Sequence, residues 1–370
     1  MAKRVLITGG AGFIGSHLAD DLLAHGYRIR ALDDLVPQVH GDTERPAYLD
    51  PEVELVVGDI RDAVTVRRAL QGVDAVFHFA ARVGVGQSMY EIAEYTSVND
   101  LGTAVLLEAL HDHPVERLVT ASSMSVYGEG LYRDRNGRPV VDAARTRAQI
   151  EAGQWDPVAP DGVPLEPVST PETKPPALSS VYALGKYNQE RLCLIFGETY
   201  NVPTVALRFF NVYGTRQALS NPYTGVLAIF ASRLLNARPP LVYEDGRQRR
   251  DFVSVRDVAS ACRLALERDE AAGRVVNVGS GMSVTVTDIA RRLGETLGTD
   301  IDAEVTGKAR AGDIRHCFAD ISLARQLLGF EPQVELEEGL PELAEWLEGQ
   351  VATDRVEDAA RELAERGLTV

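Results

Sequence analysis

Two short motifs in this chain carry residue types that can move a proton. One is the segment 122–128 (SSMSVYG), and the other is the segment 182–186 (YALGK). Residues four apart project from one face of an α-helix, so Tyr182 and Lys186 are predicted to lie side by side. An ammonium group lowers the pKa of a neighbouring phenol and makes the phenolate accessible as a base. We therefore predict a proton-transfer pair, completed by the hydroxyl of Ser123.

The first 25 residues indicate how a cofactor is bound. A buried strand is expected at 4–8, and the segment 9–15 (GGAGFIG) then leads into a helix at 16–25. This places a G-x-G-x-x-G motif between a strand and a helix, where glycines let the backbone approach a pyrophosphate. A P-loop is excluded because no Lys-Ser or Lys-Thr pair follows the last glycine. For this loop taken alone, a purely structural turn is the alternative.

Further predicted strands end in polar or small residues. The strand at 28–32 ends at Asp33 and Asp34, close to the usual offset of about 20 residues from such glycines. A carboxylate there accepts hydrogen bonds from a ribose and repels a 2′-phosphate, which favours NAD over NADP; a solvated turn is the alternative. Strands are also expected at 55–60 and 75–81. Because ligands gather where parallel strands end, we expect an α/β fold with a doubly wound parallel sheet of the Rossmann type.

Composition and charge narrow the class of protein. The 370 residues carry a formal net charge of −16, which argues against a nucleic-acid-binding surface. Cys193, Cys262 and Cys317 show neither a disulfide framework nor the spacing of a zinc site, so no metal is expected. The first residues lead directly into a predicted strand, and no signal peptide or apolar spanning segment is visible. We expect a cytoplasmic protein that binds neither nucleic acid nor membrane.

The alternation of strands and helices stops after residue 125. The strand at 118–122 delivers Ser123, and the segment 129–179, rich in Pro, Asp, Arg and Gly, then breaks the pattern. Loops this long are typically functional, so we predict that this insertion covers the substrate site, with a surface excursion as the alternative. Helices are expected at 181–200 and 225–236, and strands at 204–209 and 239–243. A last helix at 353–368 is predicted to pack on the body or on a partner through one face, formed by Val356, Ala360, Leu363 and Leu368.

From residue 5 to about residue 346, the chain resembles the nucleotide-sugar branch of the extended short-chain dehydrogenase/reductase family. The resemblance rests on the glycine loop, on Ser123, Tyr182 and Lys186, and on the later motifs RFFNVYG (208–214), RDFV (250–253) and RAGD (310–313). It implies an NAD-binding Rossmann domain at 1–208 that contains the catalytic helix and the insertion at 129–179. It also implies a smaller, interrupted substrate domain at 209–350, with some segments returning to the first domain, followed by a helical tail at 351–370.

The resemblance also implies roles for individual residues. Tyr182 is the base, Lys186 tunes it and holds the nicotinamide ribose, and Ser123 bonds the reacting oxygen. The residues implied for NAD are Gly9, Gly12, Phe13, Ile14, Gly15, Asp33, Asp34, Asp59, Ile60, Phe79, Ala80, Ala81 and Asn99, together with Tyr182 and Lys186. The residues implied for a nucleoside diphosphate sugar are Ser88, Met124, Ser125, Asn211, Arg250, Arg310 and Asp313. Arginine suits this task because its planar fork bonds phosphate oxygens in pairs.

The residues after Ser123 separate the reactions of the family. A 4,6-dehydratase typically has an Asp-Glu pair there, whereas this chain has Met124 and Ser125, neither of which is a carboxylate acid or base. A 4-epimerase needs only the three catalytic residues and room for a keto sugar to rotate, so the resemblance favours that reaction. The segments 129–132 and 216–231 resemble the dTDP-L-rhamnose 4-epimerase type, which indicates a dTDP-6-deoxyhexose as substrate.

Other functions stay open on the sequence. A UDP-hexose or hexuronate 4-epimerase, and a keto-sugar reductase, oxidase or decarboxylase, use the same scaffold. An NAD-sensing protein without turnover is disfavoured, because a binding module does not need the set formed by Ser123, Tyr182 and Lys186. Many relatives pair through two helices, and the segments 98–111 and 181–200 are therefore predicted to form a homodimer.

Overall fold

The structure of the protein is a computed structural model that describes residues 2–223, 225–310, 312–350 and 352–369. Five residues lie outside the described ranges: Met1, Val351 and Val370, together with Thr224 and Ala311, which belong to two of the segments named above.

The strands are β1 (Arg4–Thr8), β2 (Arg28–Asp33), β3 (Glu54–Val57), β4 (Ala75–His78), β5 (Arg117–Ser123), β6 (Leu131–Arg133), β7 (Pro139–Val140), β8 (Glu166–Val168), β9 (Thr204–Phe209), β10 (Asn211–Tyr213), β11 (Leu241–Val242), β12 (Arg249–Arg250), β13 (Phe252–Ser254), β14 (Arg274–Val278), β15 (Val284–Thr285), β16 (Glu304–Val305) and β17 (His316–Cys317). The α-helices are α1 (Phe13–Ala24), α2 (Pro37–His40), α3 (Ala63–Ala69), α4 (Val85–Ser88), α5 (Ile92–Thr96), α6 (Gly102–Asp112), α7 (Arg147–Glu151), α8 (Val181–Tyr200), α9 (Val226–Leu235), α10 (Val255–Glu267), α11 (Val286–Thr296), α12 (Ser322–Leu328), α13 (Leu336–Glu348) and α14 (Val356–Glu365).

Seven of these strands form one sheet in the order β14-β9-β5-β4-β1-β2-β3. All six neighbouring pairs run parallel. The chain proceeds from β1 to β2 and β3 on one side, and then crosses to β4 and β5 on the other. Such a change of direction opens a crevice at the carboxyl ends of the strands, where ligands bind. The predicted doubly wound, Rossmann-type α/β sheet is confirmed.

The central strands are apolar because helices cover both faces of the sheet. Ile7 of β1 packs with Leu18 of α1 in one buried cluster, whereas its neighbour Leu6 packs with Leu106 of α6 and Leu118 of β5 in another. Successive side chains of a strand point to opposite faces, so a parallel sheet covered on both sides reads as a continuous apolar run. This is why the strands were visible in the sequence.

A third apolar cluster organises the smaller C-terminal part of the molecule. It joins α9, α11 and α13 through Phe230, Ile289 and Leu343, all of which are buried. Short strand pairs accompany these helices: β10 with β13, β11 with β16, and β12 with β15 and β17. Within the same stretch of sequence, β14 returns to the edge of the large sheet beside β9.

The insertion at 129–179 does not have the predicted position. It folds into a small antiparallel sheet of β7, β6 and β8, and none of its residues lines the large cavity described below. Its Arg145 side chain bonds Glu129 (3.2 Å), Glu244 (2.5 Å) and the carbonyl oxygen of Asp313 (2.8 Å). The prediction that this segment covers the substrate site is therefore wrong. Buried charges need partners, and Arg145 finds them at Glu129 of the insertion itself, at Glu244 and at the backbone of Asp313.

The C-terminal helix α14 packs on the body of the same chain. Its Ala359 and Leu363 are buried. The prediction of a helix in this region is confirmed. Of the two predicted packing arrangements, on the body or on a partner, Ala359 and Leu363 show packing on the body. Over the described ranges, no helix combines the length and the apolar character needed to cross a lipid bilayer.

Candidate active site

A cavity of about 620 Å³ lies between the carboxyl ends of the large sheet and the smaller C-terminal part. The glycine loop and the ends of β2, β4 and β5 form one side. Residues from the segments 209–230, 241–252 and 310–314 form the other side, and α14 contributes its apolar face. A ligand that fills this cavity would touch both parts of the chain.

Helix α8 brings the catalytic candidates together. Ser180 begins this helix by accepting a hydrogen bond from the backbone N–H of Ala183 (3.1 Å), as a helix N-cap does. Tyr182 and Lys186 then follow one turn apart, and both line the cavity together with Ser123 at the end of β5. The three residues are therefore brought into one site.

Burial is the largest cause of the pKa shifts of both Tyr182 and Lys186. Burial raises the pKa of the Tyr182 phenol, and the neighbouring Ser123 hydroxyl offsets part of that rise. Burial also lowers the pKa of Lys186 from 10.5 to about 8. The Lys186 ammonium donates to Gln189 Oε1 at 2.9 Å, so its charge is directed to an amide. The net shift of the Tyr182 pKa is upward with burial as its largest cause, and the predicted effect of the Lys186 charge on this pKa stays a prediction.

A buried polar network lies behind Lys186. Gln189 donates to Thr103 Oγ1 (3.1 Å) and lies 3.2 Å from His78 Nε2, while His78 Nδ1 lies 2.8 Å from Thr8 Oγ1. Burial lowers the pKa of His78 to about 3, so this imidazole is neutral at pH 7. The network connects the ends of β1 and β4 to α8 and so fixes the direction of Lys186. Sequence reasoning missed Gln189, although its position three residues after Lys186 places it on the same helix face.

A second buried network lies next to Ser123 and joins β5, α8 and β9 through Ser122, Glu190 and Arg208. Ser122 donates to Glu190 Oε2 at 2.7 Å, and Arg208 bonds both oxygens of Glu190 at 2.9 and 2.7 Å. Ser125 donates from its hydroxyl to Ser123 Oγ at 3.0 Å. A bidentate arginine–carboxylate pair is geometrically specific, so β5, β9 and α8 are held in one register around the reacting hydroxyl.

The glycine loop leaves room for a ligand against its backbone. Gly9 has a φ of +70°, and a Cβ atom there would lie 2.9 Å from the backbone nitrogen of Ala80. A Cβ atom at Gly15 would lie only 2.3 Å from the carbonyl oxygen of Gly9. Asp33 holds the loop from below by accepting from the backbone N–H groups of Ala11 and Leu35, both at 3.0 Å. Among the described residues, no side chain caps the first turn of α1, so its N–H groups are available to an anion.

Cationic and amide groups line the opposite side of the cavity. Arg250 donates to the carbonyl oxygens of Arg249 and Arg315, both at 3.0 Å. Arg310 donates to Asp313 at 2.9 Å and lies 4.4 Å from the ring centre of Tyr243. Two guanidinium groups in a chain with a net charge of −16 mark this side as suitable for an anion.

Asn211 adds a neutral polar group to this side of the cavity. Its side-chain oxygen is buried and has no hydrogen-bond partner among the described residues. A buried amide without a partner is unfavourable, and a polar ligand would satisfy it.

Comparison with known proteins identifies the family. Residues 5–279 match the NAD dependent epimerase/dehydratase family. The chain belongs to this family. This epimerase/dehydratase is 38% identical over 350 residues to dTDP-L-rhamnose 4-epimerase of Burkholderia thailandensis, a match that covers 93% of this chain and 95% of the relative. It is 32% identical over 347 residues to UDP-glucose 4-epimerase of Mycolicibacterium smegmatis, covering 93% and 98% of the two chains.

A solved structure gives the same assignment. The complex of UDP-glucose 4-epimerase from Thermus thermophilus with NAD is similar with a TM-score of 0.75 and 31% identity, over 94% of this chain and 100% of that chain. NAD is the cofactor of the epimerase/dehydratase described here. The residues present fit it, because the glycine loop has no Cβ atoms where a pyrophosphate would approach and the first turn of α1 offers free N–H groups.

Most of the predicted site residues line the cavity of this epimerase/dehydratase. Their individual contacts with NAD or with a sugar remain predictions. The residues that the structure brings together are Gly9, Gly12, Phe13, Ile14, Gly15, Asp33, Asp34, Ile60, Phe79, Ala80, Ala81, Ser123, Met124, Ser125, Tyr182, Lys186, Asn211, Arg250, Arg310 and Asp313.

Two residues predicted to bind the cofactor do not line the cavity. The Asp59 carboxylate is turned onto Arg61, whose Nε lies 2.9 Å from both of its oxygens. Asn99 is buried; it accepts from the backbone N–H of Arg82 (2.7 Å) and donates to the carbonyl oxygen of the same residue (3.1 Å). In this structure Asn99 holds the loop after β4 and Asp59 forms a partly exposed ion pair, while their predicted contacts with NAD stay predictions.

Ser88, predicted to bind the substrate, does not line the cavity either. Its side chain is fully buried, donates to the carbonyl oxygen of Val85 at 2.6 Å and accepts from the backbone N–H of Tyr182 at 3.0 Å. That N–H belongs to the first turn of α8, where backbone donors have no partner within the helix. Ser88 is thus a residue that positions Tyr182.

Sequence reasoning assigned no C-terminal residue to the site. The structure adds five residues of the last segment to the cavity lining, namely Val356, Ala359, Ala360, Leu363 and Leu368. The helical spacing of apolar residues was the available signal, but it does not say what the apolar face covers.

Proposed function

We propose that the protein is a nucleotide-sugar 4-epimerase that acts on a dTDP-6-deoxyhexose such as dTDP-L-rhamnose. The observation that carries the proposal is the content of the site. Tyr182 and Ser123 share the cavity, and the side chains next to Ser123 are those of Met124 and Ser125. The acidic residues of the lining are elsewhere: Asp33 ends β2, Asp34 follows it, and Asp313 pairs with Arg310. This favours a reaction that needs one acid/base group over a dehydration or a 3,5-epimerisation.

The proposed reaction uses the phenol oxygen of Tyr182 twice. As the phenolate, it accepts the proton of the sugar 4-hydroxyl while Ser123 hydrogen-bonds the same oxygen. NAD held at the glycine loop would supply the hydride acceptor for oxidation at C4 and the hydride donor for reduction of the keto sugar from the opposite face. Tyr182 then gives the proton back to the oxygen at C4. Lys186, with a pKa of about 8, is mostly protonated at pH 7, and a positive charge one helical turn from Tyr182 favours its phenolate.

The character of the lining supports a 6-deoxy sugar. Near Tyr182 the cavity is lined by apolar groups that include Val85, Met89 and Leu363. The cation nearest in sequence to Val85, Arg82, is paired with Glu94 at 3.1 Å, and Lys186 donates to Gln189 at 2.9 Å. Both cations are thus engaged, so this lining suits a methyl group better than a sugar carboxylate. The similarity to dTDP-L-rhamnose 4-epimerase of Burkholderia thailandensis also supports this substrate.

A second candidate substrate is a UDP-hexose, because UDP-glucose 4-epimerases are also similar over nearly the whole chain. A proton NMR time course separates the candidates. Purified protein is incubated with dTDP-L-rhamnose or UDP-glucose, without added cofactor. Anomeric signals of a C4 epimer in the first tube support the proposal, and signals only in the second support the alternative. A product that requires added NAD(P)H would make the protein a reductase, and no change even with NAD would rule out both sugars.

We also propose that the protein forms a homodimer through α6 and α8, which pack against each other. Large apolar side chains of α8 are exposed, including Leu184 (45%), Ile195 (52%) and Tyr200 (51%). Leu101, just before α6, is 53% exposed. Such a group of exposed apolar residues on two adjacent helices supports an interface.

A further inference from the structure

The beginning of the C-terminal segment is fixed to the body by buried polar contacts. Asn236 donates to the carbonyl oxygen of Ala352 at 2.9 Å. Arg233 lies 3.3 Å from Asp354, and both side chains of this ion pair are 3% exposed. A buried charge that loses its partner is strongly destabilised, so this pair determines where α14 begins.

The far end of the segment is fixed across the cavity. Tyr90 donates to Glu362 at 3.2 Å, and its hydroxyl lies 2.6 Å from the hydroxyl of Tyr223. The Arg366 guanidinium lies 4.3 Å from the centre of the Tyr90 ring. Beyond the helix, the backbone of Thr369 forms an isolated antiparallel bridge with that of Arg310. The segment therefore spans the cavity from the loop after β4 to the arginine predicted to bind the nucleotide.

Between these two attachments, α14 presents an apolar face to the cavity. Leu363 is 5% exposed, and a Cβ atom added at Gly86 would lie 3.4 Å from Leu363 Cδ2 and 3.8 Å from the ring of Tyr223. Gly86 lies two residues before Ser88, the residue that accepts from the backbone N–H of Tyr182. Leu363 is thus close to the beginning of α8, at the catalytic end of the cavity.

We propose that Leu363 determines substrate specificity by forming, with Tyr223 and Val85, an apolar wall for the substituent at C5 of the sugar. This inference rests on the proposed function. The wall selects a methyl group over a hydroxymethyl group, because the nearby polar groups are already engaged: the Tyr90 hydroxyl donates to Glu362 and bonds the Tyr223 hydroxyl. A hydroxyl placed against it would be buried without a partner. Apolar pockets of this kind discriminate against an added hydroxyl by up to about 100-fold.

The test compares Leu363→Gln with Ala364→Gln, a change of the next, exposed residue on the same helix. For each protein, kcat/KM is measured with dTDP-L-rhamnose and with dTDP-L-mannose, which differs by the hydroxyl at C6. Leu363→Gln is expected to lower the preference for the 6-deoxy sugar by about tenfold or more, mainly through KM, since the amide offers a partner to the hydroxyl. Ala364→Gln is expected to leave the preference unchanged.

Folding and bound NAD are checked by thermal melting and by release of the cofactor on denaturation. Ala360, one helical turn before Leu363, also lines the cavity. Ala360→Ser adds a hydroxyl beside the wall with little change of volume and is expected to shift the preference in the same direction, so the test does not depend on one variant. An unchanged preference in folded Leu363→Gln and Ala360→Ser would overturn this inference and leave the proposed function standing. If the wild-type protein converts neither sugar, the proposed function and the inference both fail.

Discussion

Tyr182 is the residue on which the proposed chemistry depends, and the contact that fixes its position does not use its hydroxyl. Its backbone N–H, not its hydroxyl, bonds Ser88. Tyr182→Phe should therefore keep the fold and the bound NAD while lowering kcat by about 10² to 10⁴, the usual contribution of an acid/base group. The NMR assay gives kcat, and the absorbance of the cofactor released on denaturation gives NAD content. Full activity in Tyr182→Phe would contradict the assigned base.

Burial disfavours the protonated, charged form of Lys186. Below pH 8 the lysine is protonated in the folded and in the unfolded chain, so the cost of burying the charge is fully present. Between pH 8 and 10.5 only the unfolded chain holds the proton, and stability therefore rises with pH in this window. The Lys186→Met variant lacks this effect. Relative to wild type, its free energy of unfolding is expected to fall by up to about 3 kcal/mol between pH 7.5 and 10.5.

Urea unfolding of the NAD-free proteins at several pH values measures this difference. Lys308→Met is the control, because Lys308 is exposed and its ammonium stays hydrated in the folded protein. If Lys186→Met and wild type show parallel pH dependence, Lys186 is not the buried ammonium that the structure describes.

The elements that could be read from the sequence are those with local signals at their ends. Helix α8 has the predicted bounds because Ser180 caps its start and Asn201, with a φ of 56°, adopts the left-handed conformation that ends it. The strand predicted at 55–60 ends earlier, at Val57. By contrast, the position of the insertion depends on Arg145 meeting Glu244, which is 99 residues away in the sequence. A local sequence pattern does not contain information on such a long-range contact. For the same reason, the sequence did not predict that Leu363 lines the cavity.

The turn between β1 and α1 provides a prediction at the scale of an element. In Gly15→Ala, the new Cβ would lie 2.3 Å from the carbonyl oxygen of Gly9, so the turn has to move and the site for the pyrophosphate is lost. We expect the purified variant to carry at most about a tenth of the wild-type NAD. Gly294→Ala, within α11, is the matched control, since its new Cβ meets no atom closer than 3.7 Å. Alanine is favoured over glycine in helices by about 1 kcal/mol, so this control should bind NAD and melt no earlier than wild type.

Equal NAD content in Gly15→Ala and Gly294→Ala would show that the loop tolerates a side chain, and it would contradict the assignment of the cofactor to this turn. The measurement is the ratio of released NAD to protein, with circular dichroism as the check on folding.

At the scale of the whole molecule, the exposed apolar face of α8 predicts a dissociable dimer. Ile195→Asp places a charge in the proposed interface without touching the catalytic residues, because Ile195 is 52% exposed in the single chain. Sedimentation at micromolar concentration is expected to give a dimer for wild type and a monomer for this variant. Val64→Asp, at an exposed apolar residue on α3 (74%), is the control and should stay dimeric. A monomeric wild-type protein would refute the dimer.

Ionisable groups buried in different parts of the molecule determine how it responds to acid. Burial lowers the pKa of His78 to about 3 and those of His17 and His316 to about 4. Each of these side chains takes up a proton more readily in the unfolded chain, so its contribution to stability is lost as the pH falls below 6.5. Carboxyl groups with raised pKa values oppose this trend, and burial raises the pKa of Asp251 to about 6. Burial also raises the pKa of a further group of carboxyls, namely Asp34, Asp100, Glu172 and Asp257.

The histidines and these carboxyl groups change the free energy of unfolding in opposite directions as the pH falls. The contribution of His78 is therefore best measured by comparing wild type with a variant of this residue. His78→Gln keeps a neutral polar side chain between β1 and α8 but cannot take up a proton in the unfolded state. Between pH 6 and 4, the free energy of unfolding of wild type is expected to fall more steeply than that of the variant, by about 1.4 kcal/mol per pH unit. Denaturant unfolding at intervals across this range measures both slopes, with His111→Gln, an exposed histidine of α6, as the control that should match wild type. Equal slopes for His78→Gln and wild type would mean that His78 is not held neutral by the network behind Lys186, and that the polar groups joining the sheet to α8 are arranged differently.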